Sequence, residues 1–158
     1  METAVSPRPA TTDDLKQMLA IESASYPTPW QVEHFESELA KPFARVLVLT
    51  DDETDRLLAG YIIYWVHAEE VSLLNITVSP NWRGFGFAQK LMTVMVNEAV
   101  RDEIPKIVLE VRPSNKSAIR LYEKFGFELM HERKQFYQNG ESAYVMQLKT
   151  SDLSGIIQ

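Results

Sequence analysis

Hydrophobic and polar positions along this chain change period several times, and each change predicts an element. The pattern gives a short strand near Arg8, helices near Asp13 to Ser25 and Gln31 to Leu39, and strands at Ala44 to Thr50, Leu57 to Val66 and Val71 to Val78. Asp51 to Asp55 reads as a polar turn. Ala88, Leu91, Met92, Met95, Val96, Ala99 and Val100 then recur at spacings of three and four, which makes one apolar helix face until Pro105 forbids continuation. Ile107, Leu109 and Val111 alternate with Val108, Glu110 and Arg112, as in a strand. Ser114 or Asn115 can cap a following helix whose apolar side carries Ala118, Leu121, Tyr122 and Phe125, with Gly126 as its stop. A closing pair of strands is expected near Glu128 to Phe136 and Ala143 to Leu148. The order predicts an α/β fold of the mixed α+β kind, with a mixed sheet and helices on both faces. Residues 1–148 are expected to form a single domain, and residues 149–158 a loose tail in which Ile156 and Ile157 could dock.

The chemistry gathers where one apolar strand, Leu74-Asn75-Ile76-Thr77-Val78, runs through Ser79-Pro80-Asn81-Trp82-Arg83 into Gly84-Phe85-Gly86-Phe87-Ala88 and a helix. The first N–H groups of a helix lack carbonyl partners, and the helix dipole puts partial positive charge beside them, so an anion satisfies both. Glycine at 84 and 86 and alanine at 88 keep side chains away from those amides, and Arg83 can add a forked cationic donor. A Walker-type loop needs a Gly-Lys-Ser/Thr ending, which is missing. A dinucleotide fingerprint needs a small residue where Gln89 stands. A plain glycine turn between strand and helix is the alternative for this segment taken alone.

A second block follows. The strand bearing Glu110 and the helix bearing Tyr122 are close in sequence and could bring one carboxylate and one phenol to the same cleft. A carboxylate at Glu110 is either salt-bridged or functional, whereas Tyr122 in isolation reads as core packing.

Arg83-Gly84-Phe85-Gly86-Phe87-Ala88 fits Arg/Gln-x-x-Gly-x-Gly/Ala, and the run from Leu109 to Phe127 follows at the expected distance. Together they resemble the two signatures of the GNAT superfamily of acetyl-coenzyme A dependent N-acetyltransferases. The run Glu110-Val111-Arg112-Pro113-Ser114-Asn115 is similar to that of the ribosomal-protein-alanine N-acetyltransferases, the RimI type. Glu22, Tyr26-Pro27-Thr28-Pro29-Trp30 and Phe35 resemble that subfamily's N-terminal Pro-Trp loop, and the match runs from about Arg8 to Leu148. Three departures fall near the C-terminus, where Phe136 stands for a usual tyrosine, Ser142 stands for a usual aspartate, and the hairpin loop is shorter.

The resemblance implies a GNAT fold, a mostly antiparallel sheet whose fourth and fifth strands splay apart. It implies acetyl-CoA as co-substrate, and the lack of cysteine and the scattered histidines give no metal as the expectation. Ile76, Thr77 and Val78 then line the pantetheine arm, with backbone groups of Ile76 and Val78 bonding it and the Val78 N–H polarising the thioester carbonyl. Arg83, Gly84, Phe85, Gly86, Phe87, Ala88 and Gln89 hold the pyrophosphate, and Asn115 reaches the coenzyme further along. Glu110 is the implied base and Tyr122 the implied acid, in a direct attack of an amine on the thioester. An α-amine, with an intrinsic pKa of about 7.7 to 8.0, asks less of such a base than a lysine at about 10.4. Tyr26, Trp30 and Tyr137 are the aromatics expected around a peptide entrance, although a tryptophan such as Trp30 is more often a core anchor than a contact. The implied acceptor is the N-terminal alanine of a small-subunit ribosomal protein. Other N-termini, lysine or a small amine are the alternatives, as is a domain that binds acetyl-CoA without catalysis.

Composition changes this picture little. A chain of 158 residues with 45% hydrophobic content can bury one good core. No cysteine is present, which excludes a disulfide scaffold, a thiol nucleophile and thiolate metal sites. His34, His67 and His131 lack ligand spacing. A formal net charge of -6 argues against a general nucleic-acid binder and is compatible with a basic peptide partner. No signal-like or membrane-spanning run is present at the start, so a cytoplasmic location with no membrane partner is expected. Oligomeric state has no signature here.

Overall fold

The computed structural model describes residues 5–137 and 139–153. Among the described residues seven strands form one sheet: β1 (Val5–Pro9), β2 (Ala44–Asp51), β3 (Leu58–Val66), β4 (Val71–Val78), β5 (Lys106–Val111), β6 (Glu128–Arg133) and β7 (Ala143–Lys149). Their spatial order is β1-β2-β3-β4-β5-β7-β6. They are accompanied by the helices α1 (Leu15–Ser25), α2 (Val32–Ala40), α3 (Phe87–Arg101) and α4 (Lys116–Lys124). The sheet is mostly antiparallel. β4 and β5 are parallel, with Val71, Ser72 and Leu73 registered on Ile107, Val108 and Leu109, after which β4 runs on to Val78. This is the mixed fold that the sequence pattern predicts.

The described chain falls into two compact units, residues 5–66 with 75–94, and residues 67–74 with 95–153. In the first, β3 is buried along most of its length, and its apolar run Tyr61-Ile62-Ile63-Tyr64 has no exposed face. Proline lacks the N–H that a ladder needs, so Pro7 and Pro9 fit β1 because it lies at the sheet's edge. Gly60 has a packing reason. A Cβ there would sit 2.5 Å from the Thr77 carbonyl oxygen and 3.1 Å from the Val78 Cα, so only glycine lets β3 lie this close to the end of β4.

The first helix begins two residues later than expected. Thr11 accepts a hydrogen bond from the Asp13 N–H at 3.3 Å, and the Asp14 carboxylate accepts from the Thr11 N–H at 2.8 Å. This capping box winds Thr12–Asp14 into one 3-10 turn before α1 starts. Arg8 clamps the same carboxylate with two bonds of 2.8 Å and holds it below the usual carboxylate range.

In the second unit α3 ends earlier than Pro105 requires. The Ile104 N–H donates to the Ala99 carbonyl at 2.9 Å and the Glu103 N–H to Val100 at 3.2 Å, with Glu103 left-handed at φ 57°. That is a Schellman ending with glutamate where glycine is usual. Val100, in this last turn, is half-buried, while Leu91, Met92, Met95, Val96 and Ala99 are fully buried.

The boundary expected at residue 148 falls inside ordered structure. β7 continues to Lys149, and Thr150–Leu153 forms a 3-10 turn with Thr150 and Leu153 buried. The Thr150 hydroxyl donates to the Ile104 carbonyl at 2.6 Å and its N–H to Pro105 at 3.0 Å, which ties the segment to the loop before β5. Ile156 and Ile157 lie outside the described residues.

Candidate active site

In the first unit, β4 leads through the 3-10 turn Pro80–Trp82 into the glycine loop and α3. Gly84 and Gly86 have φ of 87° and 79°, and a Cβ on either would meet nothing within 4 Å. Backbone conformation, not crowding, demands glycine at both positions. The Lys90 N–H donates to the Gly86 carbonyl at 3.1 Å, so the helix opens at Gly86. The N–H groups of Phe87, Ala88 and Gln89 therefore lie in the first turn, where no intrahelical carbonyl reaches them. Arg83 donates from Nε to the Val78 carbonyl at 3.3 Å and from its terminal nitrogen to the Ser25 hydroxyl at 3.1 Å. It ties the end of β4 to the end of α1 and lies exposed beside the loop. Trp82, Phe85 and Phe87 gather their rings around the turn, with centroids 5.9 to 6.4 Å apart, and Phe85 is 59% exposed.

The side chains behind this strand form a buried polar chain. Glu22, 2% exposed, accepts from the Tyr61 hydroxyl, from Asn75 Nδ2 at 2.9 Å and from the Trp30 backbone N–H at 2.9 Å. The Thr77 hydroxyl donates to Asn75 Oδ1 at 2.8 Å, and the Tyr26 hydroxyl lies 3.0 Å from both Thr77 Oγ1 and the Ile76 carbonyl. Burial pushes the phenols of Tyr61 and Tyr26 above their ordinary value, with the Glu22 charge acting in the same direction on both. Tyr26, expected around a peptide entrance, thus has its hydroxyl turned onto β4 at the carbonyl of Ile76. Trp30 is half-buried and packs on Phe35 at 5.3 Å and His34 at 5.9 Å, and its N–H fixes the Pro-Trp loop to Glu22.

In the second unit Glu110 lies on the exposed side of β5, since Ile107, Leu109 and Val111 take the buried side. Arg133 on β6 donates to Glu110 Oε1 at 2.6 Å. The Arg133 guanidinium lies 4.3 Å from the centre of the Phe136 ring, Phe136 meets Tyr137 edge-on at 5.0 Å, and Arg112 stacks on Tyr137 at 3.8 Å. Arg112 also bonds Asn139 at 3.1 Å and Glu141 at 3.4 Å. Glu141 accepts from the Ser114 N–H at 3.0 Å, and Ser114 and Arg112 together hold its carboxyl below the usual range. Tyr137 is therefore pinned face-on to Arg112, and burial raises its phenol.

Asn115 caps α4: its Oδ1 accepts from the Ala118 N–H at 3.3 Å. Tyr122 is buried on the inner side of that helix, 5.9 Å from the Phe127 ring. Among the described residues, no group of three or more His, Cys, Asp or Glu side chains is placed to hold a metal ion. No helix among them is long and apolar enough to cross a membrane.

The sequence model of the acetyltransferase (GNAT) family matches residues 15–127, a stretch drawn from both units. This chain belongs to the GNAT acetyltransferase family. It is an acetyl-CoA-dependent N-acetyltransferase. A Salmonella typhimurium (strain LT2) protein named ribosomal protein bS18-alanine N-acetyltransferase is 30% identical to this acetyltransferase, over 89% of this chain and 95% of that protein. A Bacillus subtilis (strain 168) protein that carries the same name provisionally is 34% identical, over 92% and 96%. The crystal structure of the ribosomal-protein-S18-alanine N-acetyltransferase from Escherichia coli superposes with a TM-score of 0.83 at 29% identity, covering 93% of this chain and 94% of that one.

Two parts of this acetyltransferase escaped the sequence reading. The chain from Glu22 through Asn75 and Thr77 to Tyr26 had a signal, since Asn75 and Thr77 fall in period-two step with the apolar Val71 and Leu73 of the same strand. The pairing of Arg133 with Glu110 had none, because 23 residues and an intervening strand separate the partners.

Proposed function

We propose that this GNAT enzyme moves the acetyl group of acetyl-CoA to the N-terminal α-amine of a protein, an alanine on a small-subunit ribosomal protein. The observation that carries this reading is the likeness to ribosomal protein bS18-alanine N-acetyltransferases along nearly the whole of both chains. In this reading the first-turn amides of α3, with Arg83 and the Gly84 to Gln89 loop, hold the pyrophosphate, and Ile76, Thr77 and Val78 line the pantetheine arm. Asn115 meets the coenzyme with the amide end that its capping role leaves over. Glu110 accepts the amine proton, and Tyr122 protonates the departing thiolate. Tyr26, Trp30 and Tyr137 border the peptide. The reaction runs in the cytoplasm.

The exposed setting of Glu110 supports its part as base, since a proton acceptor must be reached by an amine or by a relaying water. The test is coenzyme A release with two short peptides, one with a free N-terminal Ala-Arg and one blocked at the amine but carrying lysine. Turnover with the free alanine terminus alone is expected. Turnover with the lysine peptide alone would reassign the acceptor and overturn the N-terminal reading.

A further inference from the structure

Glu110 is held by a partner whose position stability does not explain. Its side chain and that of Arg133 are 34% and 49% exposed, and an ion pair this open contributes little to folding. Yet the pair is built with care. Glu110 on β5 and His131 on β6 both stand opposite Val145 of β7, and Arg133 stands opposite Ala143, so the guanidinium reaches across β7 to the carboxylate. A shift of register in β6 between Leu129 and His131 sets the phase that allows this. The guanidinium also lies over the Phe136 ring, which itself meets edge-on the Tyr137 ring that stacks on Arg112. An arginine stacked on an aromatic face has few other places to go.

The terminal torsion of a glutamate is soft, and an unpartnered carboxylate at a strand surface turns freely. Arg133 fixes one oxygen, Oε1, and no other partner binds Glu110 among the described residues. We propose that Arg133 is a positioning residue of the acetyltransferase. It locks Glu110 Oε1 so that Oε2 is presented to the amine or its relaying water, with Phe136 as the platform that holds the guanidinium in place. The proposal rests on the reading of Glu110 as the base. It also gives Phe136 a purpose, because a phenyl face supports the cation without adding a hydroxyl that would compete for it.

The test is steady-state coenzyme A release with whichever peptide gives turnover, for Arg133→Gln, Arg133→Lys, Glu110→Gln and the Arg133→Gln/Glu110→Gln double variant. Arg133→Gln should lower kcat about tenfold while the peptide KM stays within about twofold, because orientation and not binding is lost. Arg133→Lys should recover part of kcat, since it keeps the charge without the planar fork. The double variant should be no worse than Glu110→Gln alone. A wild-type kcat in Arg133→Gln, a loss confined to KM, or losses that multiply in the double variant would each overturn the proposal. An inactive Glu110→Gln beside a normal Arg133→Gln would remove Arg133 and keep the base. A fully active Glu110→Gln would remove both.

Discussion

Glu22 and Glu110 are both glutamates on the catalytic scaffold, one in each unit, and their surroundings are opposite. Glu22 is almost wholly buried and accepts from a phenol, an amide and a backbone N–H. Glu110 is exposed and, among the described residues, has one cationic partner on one oxygen. A buried carboxyl group with three donors is a joint. Removing it strands the donors in an apolar interior, so its worth appears as stability. A carboxylate at the surface with one oxygen held and one open contributes little to folding and is chemically available.

The sharpest way to break this contrast is Glu110→Gln, for which we expect a loss of kcat of about a hundredfold or more with no movement of the unfolding midpoint. Coenzyme A release and thermal melting measured on the same preparation decide it, and a melting shift comparable to that of the Glu22 variant would erase the distinction. Glu22→Ala is the complement. It leaves Tyr61, Asn75 and the Trp30 N–H without their acceptor, and urea unfolding should register a loss of about 3 kcal/mol.

Tyr61→Phe sharpens the same point at smaller scale. It removes one of the three donors while keeping the ring that packs on Phe35 at 5.7 Å, and about 1 kcal/mol should be lost. A loss as large as that of Glu22→Ala would mean that Tyr61 alone carries the joint. The smallest effect concerns a third carboxyl, Asp51, which caps the turn after β2. The Thr54 side chain, with the N–H groups of Leu57, Thr54 and Arg56, lowers its pKa from 3.8 to about 2. A depressed folded value contributes stability above the ordinary carboxylate range and loses it as pH falls through about 2. The urea midpoint of the wild type should therefore decline between about pH 4 and 2, and Asp51→Asn should flatten part of that decline.

How much of this the sequence discloses depends on the range of each interaction. β5 and α3 could be read because alternation and helical spacing are local signals, as could the glycine loop, whose two left-handed positions demand glycine. The end of α3 was less legible, because a glutamate and not a glycine adopts the left-handed cap. The docking of Thr150 on Ile104 joins positions 46 apart, and no period in the chain announces it. Glu110 shows the limit most plainly. Its alternation puts it on a strand face shared with the apolar Val108, and the choice between ion pair and function stays open in the sequence. In the structure the ion pair is present, and the exposure that chemistry requires is present with it.

The ends of the sheet carry a consequence for how this enzyme behaves in a crowded solution. An edge strand with free N–H and carbonyl groups is a template on which another chain can add a strand, and Leu129 and Met130 on β6 are both more than half exposed. β6 guards itself with the irregularity beside those two residues and with Glu128, Glu132 and Arg133, while β1 at the other end guards itself with Pro7 and Pro9. Straightening the β6 irregularity would restore a regular edge and open a route to sheet-by-sheet aggregation that the native geometry keeps closed.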